Sequence, residues 1–319
     1  PLYRKGDLIS THFPKTNIEE LGLLKMDFLA LRTLTVIRDA VMLVRASGGP
    51  AIDIDAIPFD DTPVYAMIGR GETSGVFQLE SQGMTRFMTD LQPGTLEDII
   101  AGISLYRPGP MDQIPRYIRS KNNPELVTYV HPLLEPILNV TYGCMIYQEQ
   151  VMQIVRDIAG YSLGRSDLVR RAMSKKKKEV MDAERRNFIY GQTDENGHVT
   201  IPGALRNGMD EATANRLFDE MMDFASYAFN KSHAAAYAVV GYQTAWLRCH
   251  HSVAFMSALM NSFVGSLAKV SEYVLECRKM GIRILPPDIN ESLGSFAPAG
   301  GHIRFGLSAV KNVGGNVVQ

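Results

Sequence analysis

The sequence is poor in cysteine and in net charge, and it has no long apolar run. Its three cysteines, Cys144, Cys249 and Cys277, are odd in number and far apart. That excludes a disulfide scaffold and points to a reducing, cytoplasmic compartment. No apolar stretch approaches the roughly 18 residues of a membrane span. The longest weakly polar stretch, His233 to Leu247, carries two Tyr, a Gln and a Thr. Lys and Arg number 33 against 34 Asp and Glu, a net charge of −1, so the whole chain carries no polyelectrolyte signature. No internal repeat and no phosphate-binding glycine fingerprint appear, which argues against solenoids and against dehydrogenase-like or P-loop nucleotide binding. What remains is 319 residues, 45% hydrophobic, enough for one large core or about two ordinary domains. The chain opens at Pro1 and closes on Val317-Val318-Gln319 just after a turn, and reads as a piece of a longer polypeptide.

The pattern is mostly helical. Residues 20–45 read as an apolar strand, Leu21 to Leu29, followed by a helix through Leu34, Ile37, Val41 and Val44 that Gly48-Gly49-Pro50 ends. Residues 51–80 look β-rich, with Ile52, Ile54 and Ile57 alternating against Asp53 and Asp55. From residue 148 the spacing of Val151, Ile154, Val155 and Ile158 predicts a helix, and Leu217, Phe218, Met221 and Met222 predict another behind the N-cap Asp210. A long helix is expected after Ser232, a hairpin-like insert over 191–205, and a strand over 303–307.

Four groups of residues could carry chemistry. Arg170-Arg171-Ala172-Met173-Ser174-Lys175-Lys176-Lys177-Lys178 holds six cations in nine residues, which suits a polyphosphate or nucleic-acid backbone. On a helix, Arg171, Lys175 and Lys178 share one face while Leu168 and Ala172 face the core; a solvated helix end is the competing explanation. Asn230 or Ser232 can cap the next helix, whose free amides with Lys231 would form an anion site. His233 and Tyr237, one turn apart, could flank a base. Tyr106-Arg107-Pro108-Gly109-Pro110 makes a rigid turn that presents Arg107. Asp27 is an acid at the end of an apolar stretch, where it would either ligate a metal or cap the next helix. Asp53 and Asp55 read as the solvated face of a strand. Cys249-His250-His251 lacks the Cys-x-x-Cys or His-x-x-x-His spacing of a zinc site.

Taken in order, the motifs say more. Gly22-Leu23-Leu24-Lys25-Met26-Asp27-Phe28-Leu29 is followed by Gly75-Val76-Phe77-Gln78-Leu79-Glu80-Ser81 and Leu105-Tyr106-Arg107-Pro108-Gly109-Pro110-Met111. Then come Thr141-Tyr142-Gly143, Tyr147-Gln148-Glu149-Gln150-Val151-Met152, Arg170-Arg171-Ala172-Met173 and Phe229-Asn230-Lys231-Ser232-His233. Leu285-Pro286-Pro287-Asp288 and Gly306 to Gly314 continue the series. It resembles the alpha subunit of bacterial DNA polymerase III, the C-family replicative polymerases, over nearly the whole chain.

The resemblance implies a mainly α chain with small β elements (α+β). Residues 1–35 would be the C-terminal edge of a nucleotidyltransferase-like palm, a strand and helix, and residues 36–250 the helical fingers. Residues 251–319 would lead from the fingers into a helix-hairpin-helix-like segment. It implies that Asp27 is a catalytic carboxylate and Mg²⁺ ligand, and that Lys25, Arg170 and Arg171 contact an incoming triphosphate. Asn230, Lys231, Ser232, His233 and Tyr237 would line the nucleotide pocket, and Arg107, Lys175 and Lys176 would touch DNA. The partners implied are template-primer DNA, a deoxynucleoside triphosphate and other replicase subunits such as the sliding clamp, the last through regions outside this chain. Two family metal ligands, an Asp-x-Asp pair, would precede anything present here, and Asp53-x-Asp55 follows Asp27 and is not that pair. The chain is therefore expected to lack polymerase activity alone. The alternative is a non-catalytic helical module that binds nucleic acid. Ala30 and Ala228 stand where the family usually has Gly.

Overall fold

The computed structural model describes residues 1–27, 29–174, 178–225 and 227–313. Two units divide the chain, Pro1–Arg32 and Thr33–Gln319. In the first, strands β1 (Leu2–Lys5) and β2 (Leu8–Thr11) form an antiparallel hairpin, followed by a short helix, α1 (Lys15–Glu20). The expected strand over Leu21–Leu29 is absent among the described residues: Leu23, Leu24 and Met26 are exposed, and Leu23 N donates back to Ile18 O of α1 rather than to a strand. Apolar composition without an alternating face gave no strand.

The second unit is built from helices. The first are α2 (Arg32–Ala46), α3 (Thr62–Gly69), α4 (Gln82–Leu91), α5 (Leu96–Leu105), α6 (Ile114–Asn122) and α7 (Glu135–Leu138). Then come α8 (Gln148–Ala159), α9 (Leu163–Ser174) and α10 (Lys178–Tyr190), the hairpin β3 (Gln192–Thr193) and β4 (Val199–Ile201), and α11 (Glu211–Ala225). The last helices are α12 (Lys231–His250), α13 (Ser252–Ser262) and α14 (Leu267–Lys279). A three-stranded sheet of order β5 (Ile284–Leu285), β7 (His302–Arg304), β6 (Ala297–Ala299) closes the unit. The fold is mainly α with small β elements.

Three clusters of buried side chains hold it. One joins α3, α4, α5 and α12, one joins α8, α9, α10 and α11, and one joins α2, α13, α14 and the C-terminal sheet. In α8 the four residues Val151, Ile154, Val155 and Ile158 are fully buried, as their helical spacing predicts. Asp210 caps α11 by accepting from Thr213 N at 2.9 Å. α12 presents Ala234, Ala238, Gly241 and Ala245 on one buried face, and these small residues let it pack closely on α5. A buried carboxylate fixes the start of α5: Asp98 accepts from Gly94 N and Thr95 N and pairs with Lys121.

Two further expectations are corrected. Residues 51–80 contain no strand. Ile52 and Ile54 are half-buried, Ile57 is buried and Asp53 and Asp55 are exposed, so the alternation is real, but the segment's hydrogen-bond partner is Gln243 of α12, which donates to Ile54 O and Asp55 Oδ1. On α9 the core-facing residues are Val169 and Met173, while Leu168 is 61% exposed. Ala172 is only partly buried.

Candidate nucleotide and nucleic-acid site

The starts of α8 and α12 lie side by side because short extended segments before them pair in parallel. Phe229 N donates to Ile146 O and Gln148 N donates to Phe229 O. Gln150 locks the approach to α8: its Oε1 accepts from Ile146 N and Tyr147 N, and its Nε2 donates to Thr141 Oγ1 and Ile137 O. The side chains of Gln148 and Glu149 are thereby aimed at α9 and α12.

Asn230 caps α12, its Oδ1 accepting from His233 N at 2.9 Å. The Glu149 carboxylate accepts from Lys231 N at 3.1 and 3.2 Å and from Asn230 Nδ2 at 3.1 Å. This corrects the expectation of free amides at the α12 N-terminus, since a carboxylate of the protein already occupies the position that favours an anion. Lys231 Nζ pairs with Glu97 Oε2 at 3.1 Å and lies 5.2 Å from the Tyr147 ring centre.

Gln148 connects this cap to α9. Its Nε2 donates to Ala228 O at 3.0 Å and its Oε1 accepts from Arg170 Nη1 at 3.0 Å. Arg170 also donates to Asp167 Oδ1, and Arg171 pairs with Asp167 Oδ2 at 2.7 Å. Hydrogen bonding and charge from Arg170, then from Arg171, hold the Asp167 carboxyl below the usual carboxylate range. Three cations, Arg170, Arg171 and Lys231, thus face three carboxylates, Asp167, Glu97 and Glu149, and the cluster is charge-balanced.

Beside it runs a series of rings. His233 lies 5.5 Å from Phe229 and 4.3 Å from Tyr237, and Tyr237 lies 5.2 Å from Phe77. The Arg107 guanidinium sits 4.4 Å over the Phe229 ring. Arg107, Ser232 and His233 are exposed.

Of the residues singled out in the sequence, the structure gathers Arg107, Arg170, Arg171, Asn230, Lys231, Ser232, His233 and Tyr237 around the starts of α8 and α12. Lys175 and Lys176 lie outside the described residues. Lys25 and Asp27 belong to the Pro1–Arg32 unit, where they form an ion pair that lowers the Asp27 pKa, first through the hydrogen bond from Lys25 and then through its charge. Asp27 lies five residues before α2 and does not cap it. Its carboxylate is ionised and exposed, chemically fit to be one metal ligand. Among the described residues no three His, Cys, Asp or Glu side chains are grouped to hold a metal ion, so the described residues alone do not make a two-metal site. His250 pairs with Asp61 at 2.8 Å.

Comparison with known proteins decides the family. The model of the bacterial DNA polymerase III alpha subunit finger domain matches residues 33–196. The chain belongs to this family. A helix-hairpin-helix motif model matches residues 281–319; of these, the described residues to Val313 form the C-terminal sheet and a 3₁₀ turn at Leu307–Ala309. DNA polymerase III subunit alpha of Thermus aquaticus is 50% identical over 95% of this chain and 24% of its own length. Those of Mycobacterium tuberculosis H37Rv and Bacillus subtilis are 45% and 42% identical over 100% and 97% of the chain, and 26% and 27% of their own lengths. The chain spans about a quarter of the curated relatives it matches. Arg107, Gln148, Arg170 and Arg171 fall inside the finger-domain match, and the α12 cap follows it.

The residues that sequence reasoning passed over are the partners: Glu97, Gln148, Glu149 and Asp167. Asp167 carried a readable signal, an acid three and four residues before two arginines on one helix. The others meet their partners only through the fold. Among the described residues no helix is long and apolar enough to cross a membrane.

Proposed function

We propose that this chain is the incoming-nucleotide and template-primer binding part of a replicative DNA polymerase. Residues 1–35 would form the edge of the palm, 36–250 the fingers, and 251–319 the lead into the helix-hairpin-helix segment. The single observation that carries the reading is the Arg170–Gln148–Ala228 connection, which links the arginine pair to the cap of α12. A triphosphate placed there would meet two guanidinium groups, Lys231 and a helix N-terminus, and its sugar and base would lie toward Ser232, His233 and Tyr237. Because each cation already has a carboxylate partner, the triphosphate binds by exchange: it takes over Arg170 and Arg171 from Asp167, and Lys231 from Glu97 and Glu149. The positive groups are thus held in place before the ligand arrives, at the cost of weaker net attraction.

Lys25 would add a further contact to the phosphates, and Arg107 with the basic run at Lys175 and Lys176 would contact the DNA backbone. Asp27 would contribute one carboxylate to Mg²⁺, which in the complete polymerase stabilises the charge that develops on the transferred phosphoryl group. The whole polymerase would work in the bacterial cytoplasm with partners such as the sliding clamp. The isolated chain, with one such carboxylate, is expected to bind nucleotide and DNA without extending a primer. Primer extension with this chain and Mg²⁺ tests this, and clear incorporation refutes the inactivity. Titration of a deoxynucleoside triphosphate into the chain tests the binding, and no saturable binding refutes the nucleotide site. The reading as a non-catalytic nucleic-acid module would then remain, with DNA affinity alone.

A further inference from the structure

The segment Gly75–Ser81 has no part in the phosphate cluster, yet it is tightly held beside it. Gln78 has φ +64°, a left-handed backbone that residues with a side chain rarely adopt. The neighbours enforce it. Val76 and Leu79 are fully buried on either side, and Phe77 N donates to Thr244 Oγ1 of α12 at 3.0 Å. Gly241 of α12 lets Phe77 O come so near that a Cβ there would stand 3.0 Å from it. The Phe77 ring packs on Tyr237. Phe77 is thus tied to α12 and Leu79 O to Thr85 of α4, while among the described residues no group hydrogen-bonds the Gln78 amide side chain. That side chain lines an open cleft of about 340 Å³, together with Ser81, Arg107, Phe229, His233 and Tyr237. Gln78 is exposed, so its amide is open to a ligand entering the ring-lined cleft, and backbone strain of this kind clusters at ligand sites.

We propose that Gln78 reads the edge of an unpaired nucleobase stacked in this cleft against His233. The proposal rests on the nucleotide-binding reading above and adds to it a base-contacting residue. A base offers a flat face, which the exposed His233 ring, backed by Tyr237 at 4.3 Å, can cover, and an edge of donors and acceptors. The primary amide supplies one donor group and one acceptor side by side and can turn over to match either order, so it engages every base without demanding one. A charged reader would not have that tolerance. The base belongs either to the incoming nucleotide or to the single-stranded template, and the chemistry of recognition is the same for both.

The test measures binding of this chain to deoxynucleoside triphosphates, to inorganic tripolyphosphate and to an oligothymidylate single strand. The deciding variant is Gln78→Gly, because glycine adopts the left-handed backbone freely. Its thermal midpoint is expected to equal or exceed that of the unaltered chain, so loss of binding cannot come from misfolding. If the base is that of the incoming nucleotide, the ratio of nucleotide to tripolyphosphate affinity falls about fivefold, the worth of one neutral hydrogen bond. If it is a template base, oligothymidylate affinity falls by the same factor instead. Tyr237→Leu lowers the same quantity by removing the ring that backs His233. Unchanged ratios and unchanged oligothymidylate affinity in Gln78→Gly overturn the proposal. Failure of tripolyphosphate to bind at all would count against the phosphate reading alone, since the oligothymidylate arm still decides the role of Gln78.

Discussion

Residues 1–32 and 33–319 obey the same sequence rules with different results. In the first unit no described residue is buried, and Leu2, Leu8, Leu23, Leu24 and Leu29 are all largely exposed. In the second, three clusters of buried side chains surround α12 and α8. The first unit therefore rests on a hairpin ladder and local ion pairs, which contribute little, whereas the second rests on excluded water and packing. Interactions of one chemical kind thus differ in worth between the two units, and paired substitutions expose the difference.

The largest contrast concerns ion pairs. Arg248 is buried, donating to Glu72 O and pairing with Glu276 at 2.6 Å. Glu276→Ala strands a buried guanidinium and is expected to cost about 3–5 kcal/mol in urea unfolding. Lys25→Ala, which breaks the exposed pair with Asp27, is expected to leave the urea midpoint in place. Equal effects would erase the distinction between the units. Apolar truncation comes next: Ile154→Ala in α8 is expected to cost about 2–5 kcal/mol, and Leu24→Ala, at a residue 83% exposed, to stay within about 0.5 kcal/mol.

The parts of the fold that were legible in the sequence share one property: the signal and its partner lie within a few residues. Val151 to Ile158 marks α8 because one face repeats every turn, and Asp210 and Asn230 cap helices three residues away. The alternation at Ile52 to Ile57 misled because period two records which side chains point inward, whereas a strand also needs a backbone partner. Gln243 supplies that partner from α12, nearly 190 residues on. Leu168 misled in a similar way, since the phase of α9 is set by its packing on α8 through Val169 and Met173. At the site, cationic residues and the cap were visible as residue types. Their neutralisation by Glu97, Glu149 and Asp167 was not, because two of these three carboxylates come from other helices.

Two smaller effects sharpen the comparison. Asn230→Ala removes the α12 cap and is expected to cost about 1 kcal/mol, seen as a lower urea midpoint. In acid, the Asp210 carboxyl is held low, first by its hydrogen bond from the Thr213 backbone. A depressed folded-state pKa stabilises above the unfolded value and loses that contribution as pH falls through the folded value, so it fades below about pH 4. Asp210→Asn is expected to flatten the acid limb of the stability profile. Lys25→Ala is expected to move the Asp27 carboxyl titration upward, read by NMR.

The central claim is that Arg170, Arg171 and the start of α12 bind one triphosphate. Its most direct measurement is the affinity of a deoxynucleoside triphosphate for this chain with and without Arg170→Glu and Arg171→Glu together, at two salt concentrations. The expected result is a loss of at least about a hundredfold, with a flatter salt dependence, from the removal of two charge-assisted contacts. An affinity and salt dependence unchanged by the double reversal would contradict it.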